Sequence, residues 1–545
     1  MKEETVAIQK DEIAAEKAES QGFGIWSSEE EMIERAKVAS DNEHEMSITD
    51  CFRNYWKAIA WTVVICLSTT MESYDMQLIS SLFGYPSFQQ KYGKQLPDGS
   101  YEVPANWQMA LTAGSVIGIF IGIMCNGYLI DWCGHKKLLI ISHLLMTAFI
   151  FVPFFAHNVQ VLFVGEILCG LPWGIFNTIA PLYAVECCPT KLRAYMATYV
   201  NLNWVIGHFI CAGVLQRLVN NTTEWSYRIP FAIQWVWPLP LAAVICFAPN
   251  SPWWLVKKDK LDDATRAVKR LTAANTTVDS SDLVAMINHT YLVEKEMEVG
   301  ASYTACFQGD DLRRTEIATV VWASQPLVGF VVQNYNSYFF KLAGLDPSQA
   351  YSIALGSFAI AFVGTCSSWI LLTYLGRRTV YLAGLAGMIP VLFCIGFLSF
   401  GASYNDAIPW AQSVLLLIWF AIYGLTIGPV PFILCSEISS SKLRTKTISI
   451  SRGACYIMFV LSTICGPYML NPGNGNLKGK AAFPASGCCI VLLIWAFFRL
   501  PESKNRTFAE LDVLFARKVP ARNFKTIELN FLDEVDVNKH KDSTL

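Results

Sequence analysis

The sequence predicts an all-α membrane protein with twelve transmembrane helices in two six-helix halves. Three observations lead there. The 545-residue chain is 53% hydrophobic and only 16% charged, whereas charged residues make up about a quarter of a soluble domain. Twelve stretches are apolar over the roughly 20 residues a helix needs to cross a bilayer. Short motifs also recur in the same order about 250 residues apart.

Residues 1–52 are rich in Glu, Lys and Ala and open with no apolar leader. They read as a cytosolic tail, partly disordered or loosely helical. Spans at 58–82, 107–130, 138–157, 160–183, 195–218 and 229–248 fill a first bundle over 53–248. Residues 249–315 form a central cytosolic loop, where Leu261–Leu271 mixes charged and apolar positions at helical spacing, as an amphipathic surface helix does. Spans at 316–340, 350–372, 379–400, 409–435, 447–470 and 483–500 fill a second bundle over 316–500, followed by a cytosolic tail, 501–545. Lipid offers the backbone no hydrogen bonds, so such runs must be helices. A barrel would need alternating strands of about ten residues, which are absent.

Lys and Arg crowd one set of loops, for example Lys136, Lys137, Lys191, Arg193, Arg377, Arg378 and Arg444. That bias puts those loops and both termini in the cytosol. Asn220 and Asn221 fall in an outer loop and match the glycosylation acceptor pattern. The 17 cysteines and the net charge of −2 indicate neither a metal centre nor a nucleic-acid partner. No nucleophile–base pair or nucleotide motif occurs in a soluble segment, so the chain does not read as an enzyme.

The repeat fixes the architecture. Glu186-x-x-x-x-Lys191-Leu192-Arg193 after span 4 returns as Glu437-x-x-x-x-Lys442-Leu443-Arg444 after span 10. Pro249-Asn250-Ser251 returns as Pro501-Glu502-Ser503, and Gly134-His135-Lys136 as Gly376-Arg377-Arg378. Parallel repeats of six spans belong to the major-facilitator architecture, with substrate near the midplane between the halves. Asp131, Lys136, Glu186, Arg193, Arg377, Glu437 and Arg444 are then expected as ion pairs that latch the two bundles at the cytosolic face and break during alternating access.

Gly127-x-x-x-Asp131-x-x-Gly134-His135-Lys136-Lys137 resembles the loop signature of sugar porters, as do Pro249-Asn-Ser-Pro-Trp-Trp-Leu255 and Pro501-Glu-Ser-Lys-Asn-Arg-Thr507. Met71-Glu-Ser-Tyr-Asp75, Cys169-Gly-Leu-Pro-Trp-Gly174 and Tyr335-x-x-Tyr338-Phe-Phe340 are similar to the fungal maltose permease, or α-glucoside:proton symporter, branch. The resemblance runs from about residue 50 to 515. It implies a secondary active transporter at the plasma membrane, working as a monomer on a sugar and driven by the proton gradient with no cofactor.

Acids inside a spanning helix are costly and mark function by default. Glu72 and Asp75 are spaced i, i+3 on one face of span 1, and two carboxylates close together in a low dielectric suit proton carriage. The resemblance aligns Asp75 with the family's proton-coupling acid. Glu166 stands where most sugar porters have arginine, which makes it a third candidate, and Ser115 stands where some α-glucoside members carry another acid. For the sugar, the resemblance points to Gln325 and Tyr335 on span 7, His208 on span 5, Phe432 on span 10 and Gln234, which closes the porter-like stretch Trp225–Gln234. Pro429 and Pro431 are placed to break span 10. These departures leave two alternatives open: export or movement of another metabolite, glycosylated or not, on the same scaffold, or a non-transporting sugar sensor, which the short tail disfavours.

Overall fold

The computed structural model describes residues 26–527, apart from 27, 97–98, 275–278, 299–302, 343, 402–406, 441–442, 472, 505, 507 and 525–526. Among the described residues, ten helices are long and apolar enough to cross a membrane. They include span 2 (Ala105–Cys133), span 3 (His135–Phe154), span 4 (Val159–Cys187) and span 6 (Trp225–Ile245). They also include span 8 (Pro347–Tyr374), span 9 (Arg377–Leu398), span 10 (Ala407–Cys435) and span 12 (Lys478–Arg499). Span 5 is the helix Thr190–Leu218 and span 11 the helix Arg444–Leu470.

Span 1 (Trp56–Leu82) and span 7 (Gly309–Asn334, continued by Asn336–Leu342) complete the twelve. Span 1 has 27 residues, which at about 1.5 Å each exceeds the roughly 30 Å hydrocarbon core. It is long enough but polar, carrying buried Thr69, Thr70, Glu72, Ser73, Asp75, Gln77, Ser80 and Ser81. The two spans that fall outside the ten are thus the first of each half. Large apolar side chains such as Trp132, Phe247 and Val491 stay exposed on the outside of the bundle, as lipid-facing positions do.

Close helix contacts rest on small residues. A Cβ on Gly118 of span 2 would meet the Ile167 carbonyl of span 4 and lie 2.8 Å from Gly170 Cα. The second half repeats the device, since a Cβ on Gly424 of span 10 would lie 3.0 Å from the Ala361 carbonyl of span 8. Membrane helices approach this closely through small residues because no apolar driving force separates helix from lipid. Span 10 breaks between Leu425 and Val430. Pro429 and Pro431 supply no N–H there, so the helix cannot run on.

The halves meet through span 5 on span 8, span 2 on span 11, and span 1 on the second segment of span 7. One face of the bundle, here the terminal face, carries helices Glu29–Glu45 and Phe508–Ala516. Glu29–Glu45 buries Met32, Ala36 and Ala39 and packs on helix Ser280–Glu298, with Arg35 3.2 Å from Asp282. The 29–45 stretch is therefore a packed helix, where the sequence suggested at most a loose one. Leu261–Leu271 is the amphipathic helix its spacing predicts, with Leu261, Ala264, Val268 and Leu271 buried. Under the second half, Arg313 donates to the Val519 carbonyl at 2.8 Å, and Arg314 lies 4.4 Å over the Phe515 ring.

At the opposite, distal face a two-strand hairpin, Lys94–Gln95 with Tyr101–Glu102, sits between spans 1 and 2. Glu102 accepts from Tyr338 at 2.7 Å, Gln89 at 3.0 Å and Gln108 at 3.2 Å. Lys341 donates to Gln89, Tyr351 to the Ser81 carbonyl, and Asn471 to the Val103 carbonyl at 3.1 Å. The bonds of Tyr338, Lys341, Tyr351 and Asn471 join the two halves across the distal face.

Candidate functional site

A cavity of about 1440 Å³, open solvent included, lies between the halves. Aromatic rings form much of its wall: Trp204 from span 5, Phe358 from span 8, Phe420, Tyr423 and Phe432 from span 10, and Tyr456 and Phe459 from span 11. Polar groups reach it as Gln77, Asn201, His208, Gln325 and Arg452. Aromatic faces suit the C–H surfaces of a sugar ring, and amides and a guanidinium suit its hydroxyls.

Four of the five expected substrate residues line this cavity. Gln325 donates to the Gly428 carbonyl at 2.7 Å, which the break in span 10 leaves without a helical donor. His208 packs on the Phe358 ring at 5.1 Å. Tyr335 stands at the junction between the two segments of span 7, its hydroxyl 3.4 Å from the Thr463 carbonyl. Phe432 meets Trp322 edge-on at 4.6 Å. Gln234 is the exception. It is fully buried away from the cavity and donates to Asp75, because the short 3-10 turn Gln234–Val236 aims it at span 1.

The three acids are buried, with Glu72 0%, Asp75 2% and Glu166 1% exposed, which rules out a position in water at the distal mouth. They form two clusters rather than the Glu72–Asp75 pair that the i, i+3 spacing predicts. Asp75 faces Glu166 of span 4. Glu166 accepts from Ser115 at 2.8 Å. One oxygen of each, Asp75 Oδ2 and Glu166 Oε1, accepts no hydrogen bond. Glu72 instead accepts from Asn177 of span 4 at 3.2 Å. Asn177 also donates to Tyr456 and accepts from Arg452 at 3.3 Å. Residues i and i+3 stand about 60° apart around a helix, and that offset lets each carboxylate meet different neighbours, Asn177 for Glu72 and Gln234 with Glu166 for Asp75.

Sequence reasoning missed Arg452 and Asn177. The guanidinium of Arg452 lies 4.4 Å over Trp322 and 5.7 Å over Phe432, a cation held by two rings at the cavity wall. The missed signal was the arginine itself, inside the apolar stretch 447–470, where a charge is costly. It was lost among the basic residues flanking that span's start.

The expected latch residues are arranged differently from a bridge between bundles. Asp131 pairs with Lys257 at 3.0 Å, and His135 Nε2 lies 3.6 Å from Glu186. Arg193 donates to the Cys188 carbonyl at 3.3 Å. Arg377 pairs with Glu437 at 3.1 Å, and Ser503 donates to Glu437 at 2.6 Å. Each of these contacts stays inside one half, because the loop after span 2 folds onto the ends of spans 4 and 6 of its own bundle, and likewise in the second half. The Lys136 side chain is half-buried, and that of Arg444 lies outside the described residues. Asn220 and Asn221 are exposed, and Asn221 accepts from Thr223.

The profile of the family described as "Sugar (and other) transporter" matches residues 61–515. The chain belongs to this sugar transporter family. A maltose permease of Saccharomyces cerevisiae is 36% identical over 509 residues, spanning 92% of this chain and 82% of the permease. A general alpha-glucoside permease of the same yeast is 35% identical over 495 residues, 90% of this chain and 80% of its own length. The E. coli xylose transporter, solved in a partially occluded inward open conformation, superposes with a TM-score of 0.67 at 18% identity, covering 83% of this chain and 99% of that one. The same transporter with bound 6-bromo-6-deoxy-D-glucose gives 0.67 at 19%. This sugar transporter therefore has the major-facilitator fold; the aromatic cavity and the Glu72 cluster lie between its halves, and the Asp75–Glu166 cluster lies within the first half.

Proposed function

We propose that the chain takes up an α-glucoside, maltose-like in size, by proton symport with alternating access across the plasma membrane, with both termini cytosolic. The observation that carries this reading is the cavity between the halves, with rings and amides at its wall and buried carboxyls outside its lining. Relatives named for maltose and for α-glucosides support the cargo. Asp75 Oδ2, Glu166 Oε1 and Glu72 Oε2 are all buried without a donor; with Asp75 facing Glu166, this supports that pair as one proton site and Glu72 as a second. Gln325, His208, Tyr335, Phe432 and Arg452 are proposed to contact sugar, and Gln234 to hold Asp75. The closed distal face corresponds to a state open or opening toward the cytosol. The proton gradient is the energy source, and the unit is a monomer.

The test is labelled maltose uptake in cells lacking other permeases. Accumulation with external alkalinisation on sugar addition is expected. Accumulation without alkalinisation rules out symport. Failure to move any glucoside turns the reading toward a different, glycosylated metabolite, which the phenylalanine-rich wall of the cavity would also suit.

A further inference from the structure

The cluster around Glu72 has a feature that the proton and sugar sites do not explain by themselves. Glu72 is fully buried and not part of the cavity lining, whereas Arg452 and Tyr456 line it. One amide connects them. Asn177, 4% exposed, gives one N–H to Glu72 Oε1 and one to the Tyr456 hydroxyl, and its carbonyl oxygen accepts from Arg452. Glu72 and Asn177 belong to the first half, Arg452 and Tyr456 to the second. This is a hydrogen-bonded crossing between the halves, and it runs from a buried acid to the cavity.

We infer that Asn177 is a positioning residue through which the protonation state of Glu72 is felt at the sugar cavity, by setting how firmly Arg452 and Tyr456 are held to the opposite half. The inference rests on the proton-symport reading. When Glu72 is charged, its carboxylate draws the Asn177 N–H. The polarised amide then offers Arg452 a more negative oxygen, as hydrogen bonds in a chain strengthen one another. A proton arriving on Glu72 from the distal medium makes it a neutral acid and a weaker acceptor. The amide relaxes, and the crossing to Arg452 and Tyr456 weakens with it. The groups facing Glu72 are Asn177 from span 4 and Arg452 and Tyr456 from span 11. Asp75 and Glu166 sit in their own cluster with Ser115 and Gln234. Linkage makes the effect reciprocal, so sugar engaging Arg452 shifts proton binding at Glu72 as protonation shifts sugar binding.

The experiment uses the full chain in proteoliposomes with labelled maltose. It measures sugar-driven proton uptake, sugar counterflow and the half-saturation for sugar against pH, in wild type, Asn177→Ala, Asn177→Gln, Glu72→Gln and the Glu72→Gln/Asn177→Ala double variant. In Asn177→Ala the change in sugar half-saturation that accompanies titration of Glu72 is expected to shrink at least about fivefold, the lower bound of typical site-to-site coupling, and the protons taken up per sugar fall toward the share carried by Asp75 and Glu166. Counterflow, which needs no net proton movement, falls much less. The pH dependence of half-saturation flattens, Asn177→Gln restores part of it, and the double variant is no worse than Glu72→Gln alone. Wild-type stoichiometry and pH dependence in Asn177→Ala overturn the inference, as does a double variant in which the two losses add. If Asn177→Ala does not fold, Tyr456→Phe removes one of the two bonds of the crossing from the other side; a smaller change of the same sign is expected, and wild-type stoichiometry and pH dependence in it overturn the inference. A wild type that moves maltose without protons sinks the symport reading and the inference with it, whereas a coupled wild type with an unchanged variant sinks the inference alone.

Discussion

Asp75 and Glu166 each keep one oxygen without a donor, so replacing either carboxyl with its amide tests the shared proton site with little change of shape. Asp75→Asn is expected to abolish uphill sugar accumulation while sparing exchange, read by comparing accumulation ratio with counterflow. Unchanged uphill transport would remove Asp75 from the proton path. Arg452→Lys keeps the charge but loses the flat guanidinium that lies over Trp322 and Phe432. Contacts of this kind are worth about 0.5–2 kcal/mol, so half-saturation should rise roughly 2- to 30-fold, and an unchanged value would place Arg452 outside the sugar contact. At this scale the sequence yields the three acids, because a carboxyl in an apolar run announces itself. It does not yield Asn177, since an amide in span 4 is chemically ordinary until Glu72 and Arg452 are seen on either side. It also misassigns Gln234, whose direction depends on the 3-10 turn at 234–236.

Elements were the most legible level, and the exceptions have physical causes. Ten spans announce themselves by hydropathy, and spans 1 and 7 are weaker because they spend polar residues on the site. The short hairpin at 94–102 and the packed helix 29–45 lack long periodic runs and are invisible to a count of apolar windows. Packing between spans 2 and 4 provides a sharp test. Gly118→Val places a branched side chain against the Ile167 carbonyl, and overpacking of this kind costs about 1–3 kcal/mol. The variant should lose thermal stability in detergent while Gly127→Ala, where a Cβ meets nothing within 4 Å, does not. Equal stability of the two would show that spans 2 and 4 are not so tightly pressed. On the terminal face, Met32→Asp buries a charge between helices Glu29–Glu45 and Ser280–Glu298 and should expose the 29–45 segment to limited proteolysis. Arg35→Ala should do so far less, because exposed ion pairs contribute about 0–1 kcal/mol.

For the whole molecule, the duplication gives the two halves and the charge bias gives an expected sidedness, while the state of the distal face is visible only in three dimensions. There Glu102 binds Tyr338 across the halves. Burial raises its carboxyl above its ordinary value of 4.5, against hydrogen bonds from Tyr338, Gln108 and Gln89 and the charge of Lys341. The closed face therefore holds the neutral acid better than an open, hydrated one. That contribution is fully present below the ordinary value and is lost as pH rises through the higher closed-state value. Mild acid should favour distal closure, and Glu102→Gln should flatten the dependence. Labelling of a Ser80→Cys variant from the distal side, across pH, measures it, and a response that survives Glu102→Gln assigns it elsewhere. The terminal face holds a different opportunity. Helix 29–45 is fastened beneath the first half and residues 508–524 beneath the second, so the gap between them works as a caliper. Donor and acceptor dyes at exposed positions such as Lys37 and Lys518 would read the stroke of each turnover by energy transfer, with the pore itself left untouched.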